Sequence, residues 1–397
     1  MLREAGQDCH PCLRPNAEGY APQFARSQAR FPLQAPESSM AKRGNSVIGI
    51  DLGKRAYKAV LLNKKSETRY ALTSFASHEV PEEVTTADEV AQHVKQLLKD
   101  LGGSTKSCAL AVSEPGSLLR IIEQPSTPPE LLRNALRYNG LSMLNQDCKD
   151  FVLDVASISN NGTAGARAAS GEGAVAVQVQ APATTQTRYL VGGLLRSRVK
   201  EISEAMAKTR LSVELMQLAQ VCSFNAFEVA YPEVHQKEAF LLLDLGHLQS
   251  TVLIGCNGEL TLTRAFDYGG KHFTQALTAD GALDANAAHL MIQEGDPGMA
   301  DICRNTLSRL CTEVRNSMGF FEGQHETSIH RLYVSGGLSR AEMILQTLSD
   351  ELGLPCEIWD PLENCEVALP AAKRKNLQQE FVSLNVACGA AFEYLRT

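Results

Sequence analysis

Two segments of the same design stand far apart in this chain, and a third piece follows them. Val47–Gly53 and Phe240–Gly246 are apolar runs that end in Asp-Leu-Gly, and Leu332–Gly337 is an apolar run that ends in Ser-Gly-Gly. Apolar runs of this length, each bounded by glycine, predict buried strands. Glycine also lets the backbone turn tightly and bring its N–H groups close to a phosphate. The three pieces together predict two similar lobes that face each other across a nucleotide-binding cleft.

The acidic residue of each Asp-Leu-Gly segment is suited to a metal rather than to phosphate. Asp51 and Asp244 would repel phosphate directly, but they can hold Mg²⁺, usually through water, and the metal then bridges to phosphate oxygens. Gly336 and Gly337 precede a predicted helix over Ser339–Leu352, whose N-terminus can receive adenine or its α-phosphate. One Asp-Leu-Gly segment alone usually marks only a hairpin turn, so the argument depends on all three pieces and their order.

Length, charge and cysteine usage exclude several classes of protein. A chain of 397 residues is long enough for two lobes, and a net charge of −7 offers no electrostatic case for nucleic acid. No apolar stretch reaches the roughly 18–20 residues that span a bilayer. Eleven scattered cysteines fit a reducing cytosol. Cys9 and Cys12 resemble half of a zinc site, but no second pair lies at a suitable spacing.

The order of predicted elements divides the chain and suggests an internal duplication. Both halves read strand, strand, strand, helix, strand, helix, which favours a two-lobed α/β fold. Proline-rich residues precede Met40, which offers an alternative start. A helix is predicted over Leu215–Tyr231, and Asn257-Gly258 predicts a hairpin turn. The predicted parts are a disordered leader (1–44), the start of the first lobe (45–112), a small extra subdomain (113–158), a flexible loop with a short strand (159–187), the end of the first lobe with connecting helices (188–238), the second lobe (239–383) and a C-terminal helix (384–397).

Several short motifs, taken in order, give the chain a family resemblance over Ser46–Arg396. They are Ile48–Gly53, Leu243–Gly246, Leu262–Phe266 followed by Gly269-Gly270, Glu313–Ser317, Val334–Gly337 and Asp360–Leu362. In this order they resemble the actin-like ATPase superfamily and, within it, the PilM family of type IV pilus assembly proteins, relatives of the cell-division protein FtsA. The resemblance implies a two-lobed actin-like fold, a duplicated ribonuclease H-like fold, with a small extra subdomain.

The resemblance also implies a site for ATP and Mg²⁺. Asp51 and Asp244 would hold the metal, Glu313 the ribose, and Asn316 and Ser317 would flank adenine. The remaining nucleotide-binding residues that it implies are Gly53, Lys54 and Arg55 in the first phosphate loop, Gly246, His247 and Gln249 in the second, and Gly270, Gly336 and Gly337 beside the base and phosphates.

The phosphate loops depart from the family pattern. The first continues with Lys54, Arg55 and Ala56 where hydroxyl side chains are usual, and the second places the bulky Leu248 where small residues are usual. Two hypotheses follow: the cations bind phosphate strongly, or the site no longer binds nucleotide. Hydrolysis needs a residue that orients water, and Gln217 and Gln220 are the candidates, although an exposed helical glutamine is more often only solvated.

The implied function is a cytoplasmic scaffold of a type IV pilus or related secretion machine, at most a slow ATPase. It would reach the inner membrane through the cytoplasmic N-terminal tail of a single-pass, PilN-like protein, in a groove walled by Ser113–Ile158; self-association stays open. Four alternatives remain. The first is an FtsA-like membrane tether, and the end at Thr397 directly after a predicted helix counts against it. The second is a small-molecule kinase, for which no lone aspartate stands out in a suitable loop. The third is the cytoplasmic half of a membrane-spanning secretion protein, which the lack of a transmembrane segment disfavours, and the fourth is a nucleotide-free scaffold.

Overall fold

The computed structural model describes residues 44–81, 84–158, 186–279, 281, 283–294, 298 and 300–397. Apart from Gly44, the predicted leader lies outside the described residues. The predicted loop and short strand over 159–187 also lie outside them, except for Gln186 and Thr187. No helix within the described part of the chain combines the length and apolar character that a membrane crossing requires.

The sheet of the first lobe is built around the first Asp-Leu-Gly segment. Its central strand pairs with an antiparallel partner on one side and a parallel partner on the other. In the described residues the order across this sheet is β14-β3-β2-β1-β4-β8. The strands are β1 (Ser46–Leu52), β2 (Ala56–Lys64), β3 (Tyr70–Glu79), β4 (Ser107–Val112), β8 (Ser212–Leu218) and β14 (Cys365–Val367).

The second lobe repeats this arrangement. The strand that ends in the second Asp-Leu-Gly segment again has an antiparallel partner on one side and a parallel partner on the other. The described order is β11-β10-β9-β12-β13, which matches β3-β2-β1-β4-β8 strand for strand and confirms the predicted duplication. These strands are β9 (Ala239–Leu245), β10 (Ser250–Cys256), β11 (Glu259–Phe266), β12 (Leu332–Ser335) and β13 (Cys356–Ile358).

The small subdomain is a separate antiparallel sheet with one helix. β5 (Leu118–Pro125), β7 (Gln186–Leu195) and β6 (Phe151–Ile158) pair in the order β5-β7-β6, and α2 (Pro129–Leu144) packs on β6. The sequence placed residues 188–195 at the end of the first lobe. They instead form most of the central strand of the subdomain, because β7 supplies the backbone partners of both β5 and β6.

The remaining helices cover the sheets and close the junction between the lobes. They are α1 (Ala87–Leu101), α3 (Arg196–Ala207), α4 (Ala219–Ala230), α5 (Pro232–Lys237), α6 (Gly270–Thr278), α7 (Ala285–Glu294), α8 (Ala300–His325), α9 (Glu342–Leu352), α10 (Ala371–Glu380) and α11 (Asn385–Arg396). Helix α11 packs on α4 and on β1, β2 and β4. The C-terminal helix therefore belongs to the core of the first lobe, and almost all of its residues are buried.

One predicted helix was wrong in its first turn. The helix expected over Leu215–Tyr231 begins at Ala219, and the residues before it continue β8 to Leu218. Their backbone pairs in parallel with β4. Four apolar or amide residues fit a buried strand as well as a helix, so the free edge of β4 decides the conformation. The hairpin turn at Asn257-Gly258 is confirmed, since both residues have positive φ.

Candidate functional site

The turns after β1 and β9 are tight hairpins that require glycine. A Cβ atom on Gly53 would lie 2.7 Å from the carbonyl oxygen of Ala56, and one on Gly246 would lie 2.4 Å from that of Gln249. Real Cβ atoms do not approach backbone oxygens so closely, so neither turn could keep its shape with another residue. The sequence signal of each Asp-Leu-Gly segment is therefore a true backbone requirement.

The two hairpins face each other across a cleft between the lobes, with a cavity of about 210 Å³. This volume is below the roughly 300–1,000 Å³ of common small-molecule pockets, and it would hold phosphates more readily than a whole nucleotide. Most of the predicted site residues line it: Asp51, Gly53, Lys54, Arg55, Gln220, Asp244, Gly246, His247, Gln249, Gly270, Gly336 and Gly337.

The predicted ribose and adenine residues lie elsewhere. Glu313, Asn316 and Ser317 are on α8 and are not among the residues that line the cleft. Ser317 is fully buried, and its Oγ donates to the carbonyl oxygen of Glu313. Their helical spacing does bring them together, but the structure does not join them to the hairpins. Their role stays a prediction.

Asp51 is buried beside a basic residue that the sequence analysis missed. Burial is the largest cause that raises the pKa of Asp51, the nearby Lys58 opposes it, and Asp244 raises it further. The Nζ of Lys58 lies 3.5 Å from the Oδ2 of Asp51. Directly opposed residues of an antiparallel pair interact in this way, and Asp51 faces Lys58 in the register of β1 and β2. The predicted hairpin register would have been enough to identify Lys58.

Asp244 is held by two donors that sequence reasoning also missed. Its Oδ1 accepts hydrogen bonds from the Oγ of Ser335 at 2.8 Å and from the Nδ2 of Asn385 at 3.1 Å. Asn385 begins α11, is buried, and also donates to Ser223 on α4. These residues come from distant parts of the chain, and no spacing rule connects them. The carboxylate of the second lobe is thus tied to both junction helices.

Gly336 and Gly337 are glycines for different reasons. Gly336 has a φ of 95°, and its Cβ would lie 2.3 Å from the carbonyl oxygen of Leu245, so the backbone itself requires glycine. A Cβ on Gly337 would meet no atom within 4 Å, although this residue lines the cleft. Packing of the described residues therefore does not require glycine there, and its missing side chain leaves cleft space open.

The second hairpin is fixed to the start of α6. The N–H groups of Gly270 and Lys271 donate to the carbonyl oxygens of Gly246 and His247, at 3.0 and 2.9 Å. These bonds satisfy two donors of a helix N-terminus. They hold the turn in place, so the second lobe presents a rigid backbone to the cleft.

Charged side chains of both signs line the cleft in equal number. Lys54 pairs with Glu114 at 2.9 Å, a residue outside the cleft lining, and Arg340 pairs with Glu380 at 3.0 Å. The side-chain amide of Gln249 is engaged by Asp267. The four basic lining residues are Lys54, Arg55, Lys58 and Arg340, and the four acidic ones are Asp51, Glu79, Asp244 and Glu380. The cleft is therefore close to neutral as it stands.

The structure separates the two glutamine candidates. Gln220 lies at the start of α4, lines the cleft, and has a buried Oε1 with no hydrogen-bond partner in the described residues. Gln217 lies on β8 rather than on the helix and does not line the cleft. Both are buried rather than solvated. Of the two candidates, Gln220 is therefore the one at the cleft, and its role in hydrolysis stays a prediction.

Comparisons with known proteins are consistent with this architecture. A family model described as type IV pilus assembly protein PilM matches residues 176–395, more than half of the chain. No curated protein matches the chain in a sequence search.

The chain is similar to solved structures to different degrees. A chain of a structure described as a PilM–PilN type IV pilus biogenesis complex superposes with a TM-score of 0.73 and 24% identity, covering 88% of this chain and 99% of that one. The ethanolamine utilization protein EutJ from Carboxydothermus hydrogenoformans gives a TM-score of 0.48 with 14% identity, covering 87% and 88%. MreB 5 of Spiroplasma citri bound to AMPPNP gives 0.43 and 12%, covering 85% and 99%. The fold is the predicted two-lobed actin-like fold.

Proposed function

The chain belongs to the PilM family of type IV pilus assembly proteins, and from this premise we propose that it is an ATP-binding scaffold of a pilus assembly machine. Mg-ATP binds between its lobes, and its small subdomain helps to capture the cytoplasmic tail of a PilN-like inner-membrane protein. ATP acts as a conformational ligand, because a ligand shifts an equilibrium by its differential affinity for two arrangements.

One observation carries the nucleotide part of this proposal. The two equivalent glycine hairpins place Asp51 and Asp244 in one cleft, and the cleft has open space beside Gly337. Backbone N–H groups at such turns bind phosphate oxygens. Gly337 supports a ligand in particular, since the protein's own packing gives no reason for its missing side chain.

The donor set fits Mg²⁺ that reaches the protein together with phosphate. Among the described residues, no group of three or more histidine, cysteine, aspartate or glutamate side chains is placed to hold a metal alone. Magnesium in phosphate sites commonly uses only one or two carboxylates and completes its shell with water and phosphate oxygens. Asp51 and Asp244 would serve here, and the metal would bring the positive charge that a nearly neutral cleft lacks.

Calorimetry of the purified chain with ATP and ADP in Mg²⁺ tests the nucleotide site. Asp244→Asn keeps an acceptor for Ser335 and Asn385 but removes the charge, so we expect at least about tenfold weaker binding of Mg-ATP. Asp244→Ala would remove the acceptor that these two buried donors share, and its effect on folding would confuse the result. Gly337→Leu fills the open space and should abolish binding while thermal stability is retained.

Asp301→Asn provides the matched control, because this α8 side chain is 91% exposed and is not among the residues that line the cleft. It should bind nucleotide as the native chain does. If the native chain binds neither nucleotide at millimolar concentration, the ATP site is refuted and a nucleotide-free scaffold remains.

Turnover, if it occurs, depends on Gln220. A buried amide oxygen that lines the cleft is suited to accept a hydrogen bond from an attacking water. In our proposal hydrolysis is slow, because the chain acts mainly as a nucleotide-binding scaffold. Gln220→Leu should preserve ATP affinity and remove any measurable ATPase activity; the same activity in both proteins would exclude Gln220.

The partner part of the proposal is supported by the subdomain's edge. The outer edge of β6 has no strand partner among the described residues, whereas the β5 side lies near β11. An extended peptide can add to such an edge, with main-chain bonds giving register and side-chain pockets giving specificity. We therefore assign the tail of the PilN-like protein to the outer edge of Phe151–Ile158.

Hydrogen exchange tests this assignment without altering the protein. The whole chain is compared with and without a synthetic peptide of the PilN-like tail from the same genome. Slower exchange should appear in β6 and spare α8. Protection confined to other segments would show that the tail binds elsewhere.

A further inference from the structure

One carboxylate joins the first phosphate hairpin to both places where the chain crosses between the first lobe and the subdomain. Glu114 lies in the entering crossing, between β4 and β5. Its Oε2 accepts from the Nζ of Lys54 at 2.9 Å and from the Nε of Arg198 at 3.0 Å. Lys54 is in the hairpin after β1, and Arg198 is in α3, directly after the return strand β7.

The three side chains are sheltered, so their interaction is not that of a loose surface pair. Their exposed fractions are 23% for Lys54, 21% for Glu114 and 17% for Arg198. Arg198 is held on its other side by Glu201, whose Oε2 lies 2.9 Å from Nη1. Exposed ion pairs contribute little, but partly buried and multiply bonded ones are screened less by solvent. Glu114 therefore holds two cations with a single oxygen.

Lys54 has a second possible partner in the cleft. Lys54 lines the cleft, and Ser113 and Pro115 on either side of Glu114 line it too. A nucleotide phosphate carries more negative charge than one carboxylate, and it would attract the ammonium group away from Glu114. Arg198 would remain paired, because its contact faces the subdomain crossing and has the additional support of Glu201.

We propose that Glu114 is a positioning residue for the phosphate ligand Lys54, and that competition between phosphate and Glu114 couples nucleotide occupancy to the orientation of the subdomain. This inference rests on the proposed nucleotide site and concerns its regulation. When phosphate binds Lys54, the ion pair between the hairpin and Glu114 is lost. The subdomain can then rotate about the two segments that connect it to the first lobe. Because coupling is reciprocal, a partner that holds the subdomain in one orientation changes nucleotide affinity by the same factor.

Binding measurements on matched variants test the competition. Glu114→Gln removes the rival charge and frees Lys54, so Mg-ADP should bind about three- to tenfold more tightly. Lys54→Met should weaken binding of Mg-ADP, and the double variant should behave like Lys54→Met, since residues of one network are not additive. Glu201→Gln is the control. It removes an acidic partner of Arg198, as Glu114→Gln does, but it does not affect Lys54, so the affinity for Mg-ADP should not change. Adenosine, which has no phosphate, should be insensitive to all four variants.

Hydrogen exchange distinguishes the proposed coupling from a purely structural role of Glu114, because a structural role would not make exchange in the crossings depend on nucleotide. In the native chain, Mg-ADP should speed exchange in Ser113–Ser117 and the first turn of α3. In Glu114→Gln these segments should exchange rapidly before nucleotide is added and change little afterwards.

The outcomes separate this inference from the proposed function. If the native chain binds Mg-ADP but Glu114→Gln and Glu201→Gln have equal effects, Glu114 does not position Lys54 and the nucleotide site stands. If binding follows the expected order but exchange in the crossings is unaffected by nucleotide, the coupling is overturned. If the native chain binds no nucleotide at all, the site and the inference fall together.

Discussion

At the scale of single residues, the two aspartates of the cleft have different neighbours. Asp51 and Asp244 each have a specific neighbour, a lysine in one case and two neutral donors in the other. The two carboxylates therefore differ in their surroundings, because Asp51 faces a cation whereas Asp244 accepts hydrogen bonds from neutral donors. Asp51 is buried, and a buried charge without a partner would be costly.

His235 is the buried residue from which we expect a clear pH dependence. Burial lowers its pKa, and neither ring nitrogen has a hydrogen-bond partner in the described structure, where Phe224 and Phe240 surround it. The unfolded chain titrates this histidine near pH 6.5, so the folded state binds its proton less readily. Stability should be constant above about pH 6.5 and fall below it, by up to about 1.4 kcal/mol per pH unit.

Urea denaturation from pH 5 to 8 measures this effect. His235→Leu should remove that part of the acid sensitivity, whereas the exposed His330, changed to Leu, should leave the pH profile unaltered. An unchanged profile in His235→Leu would mean that other groups cause the loss.

At the scale of elements, the junction between the lobes depends on one close helix contact. A Cβ on Gly389 of α11 would lie 1.7 Å from the carbonyl oxygen of Cys222 on α4. The same helix lies over β1, where a Cβ on Gly49 would be 2.1 Å from the carbonyl oxygen of Ala387. Small residues therefore let two helices and a strand approach at the site where Asn385 and Ser223 meet Asp244.

Gly389→Ala should accordingly destabilise the protein by about 3 kcal/mol, because backbone atoms rather than flexible side chains must move. Gly319 on α8 is the matched control, since a Cβ there would meet nothing within 4 Å. Gly319→Ala should stabilise by about 0.5–1 kcal/mol through lower chain entropy in the unfolded state. Urea midpoints that move in the same direction for both variants would contradict the close-packing argument.

At the scale of the whole molecule, the subdomain also touches the second lobe. Arg188 on β7 pairs with Glu259 on β11 at 3.3 Å, and both side chains are about four-fifths covered. The subdomain is thus held by the two crossings near Glu114 and by this ion pair. A rotation of the subdomain must either break this ion pair or move β11 with it. The subdomain is therefore connected to both lobes.

A double-mutant cycle on Arg188→Met and Glu259→Gln should give a coupling free energy of about 1 kcal/mol, as expected for a partly covered pair. Arg188→Met should also speed hydrogen exchange in β5 and β7 while leaving β12 unchanged. Additive effects of the two changes on the free energy of unfolding would show that the pair does not hold the subdomain.

The sequence alone determined the features that depend on local chemistry. A strand that must turn directly after an aspartate requires glycine, and this is why the two hairpins, their duplication and the backbone turn at Gly336 were predictable. The antiparallel register that places Lys58 opposite Asp51 follows from the same hairpin and could also have been used.

The tertiary structure alone decided which distant segments meet. Leu215–Leu218 became a strand because β4 offered an unpaired edge, and residues 188–195 became the centre of the subdomain sheet because two strands needed a partner. Asn385 meets Asp244 only because glycines let α4 and α11 pack closely, while Ser317 is directed into the core of its own lobe. Such neighbours depend on the packing of whole elements, and a local pattern contains no information about the surface it will face.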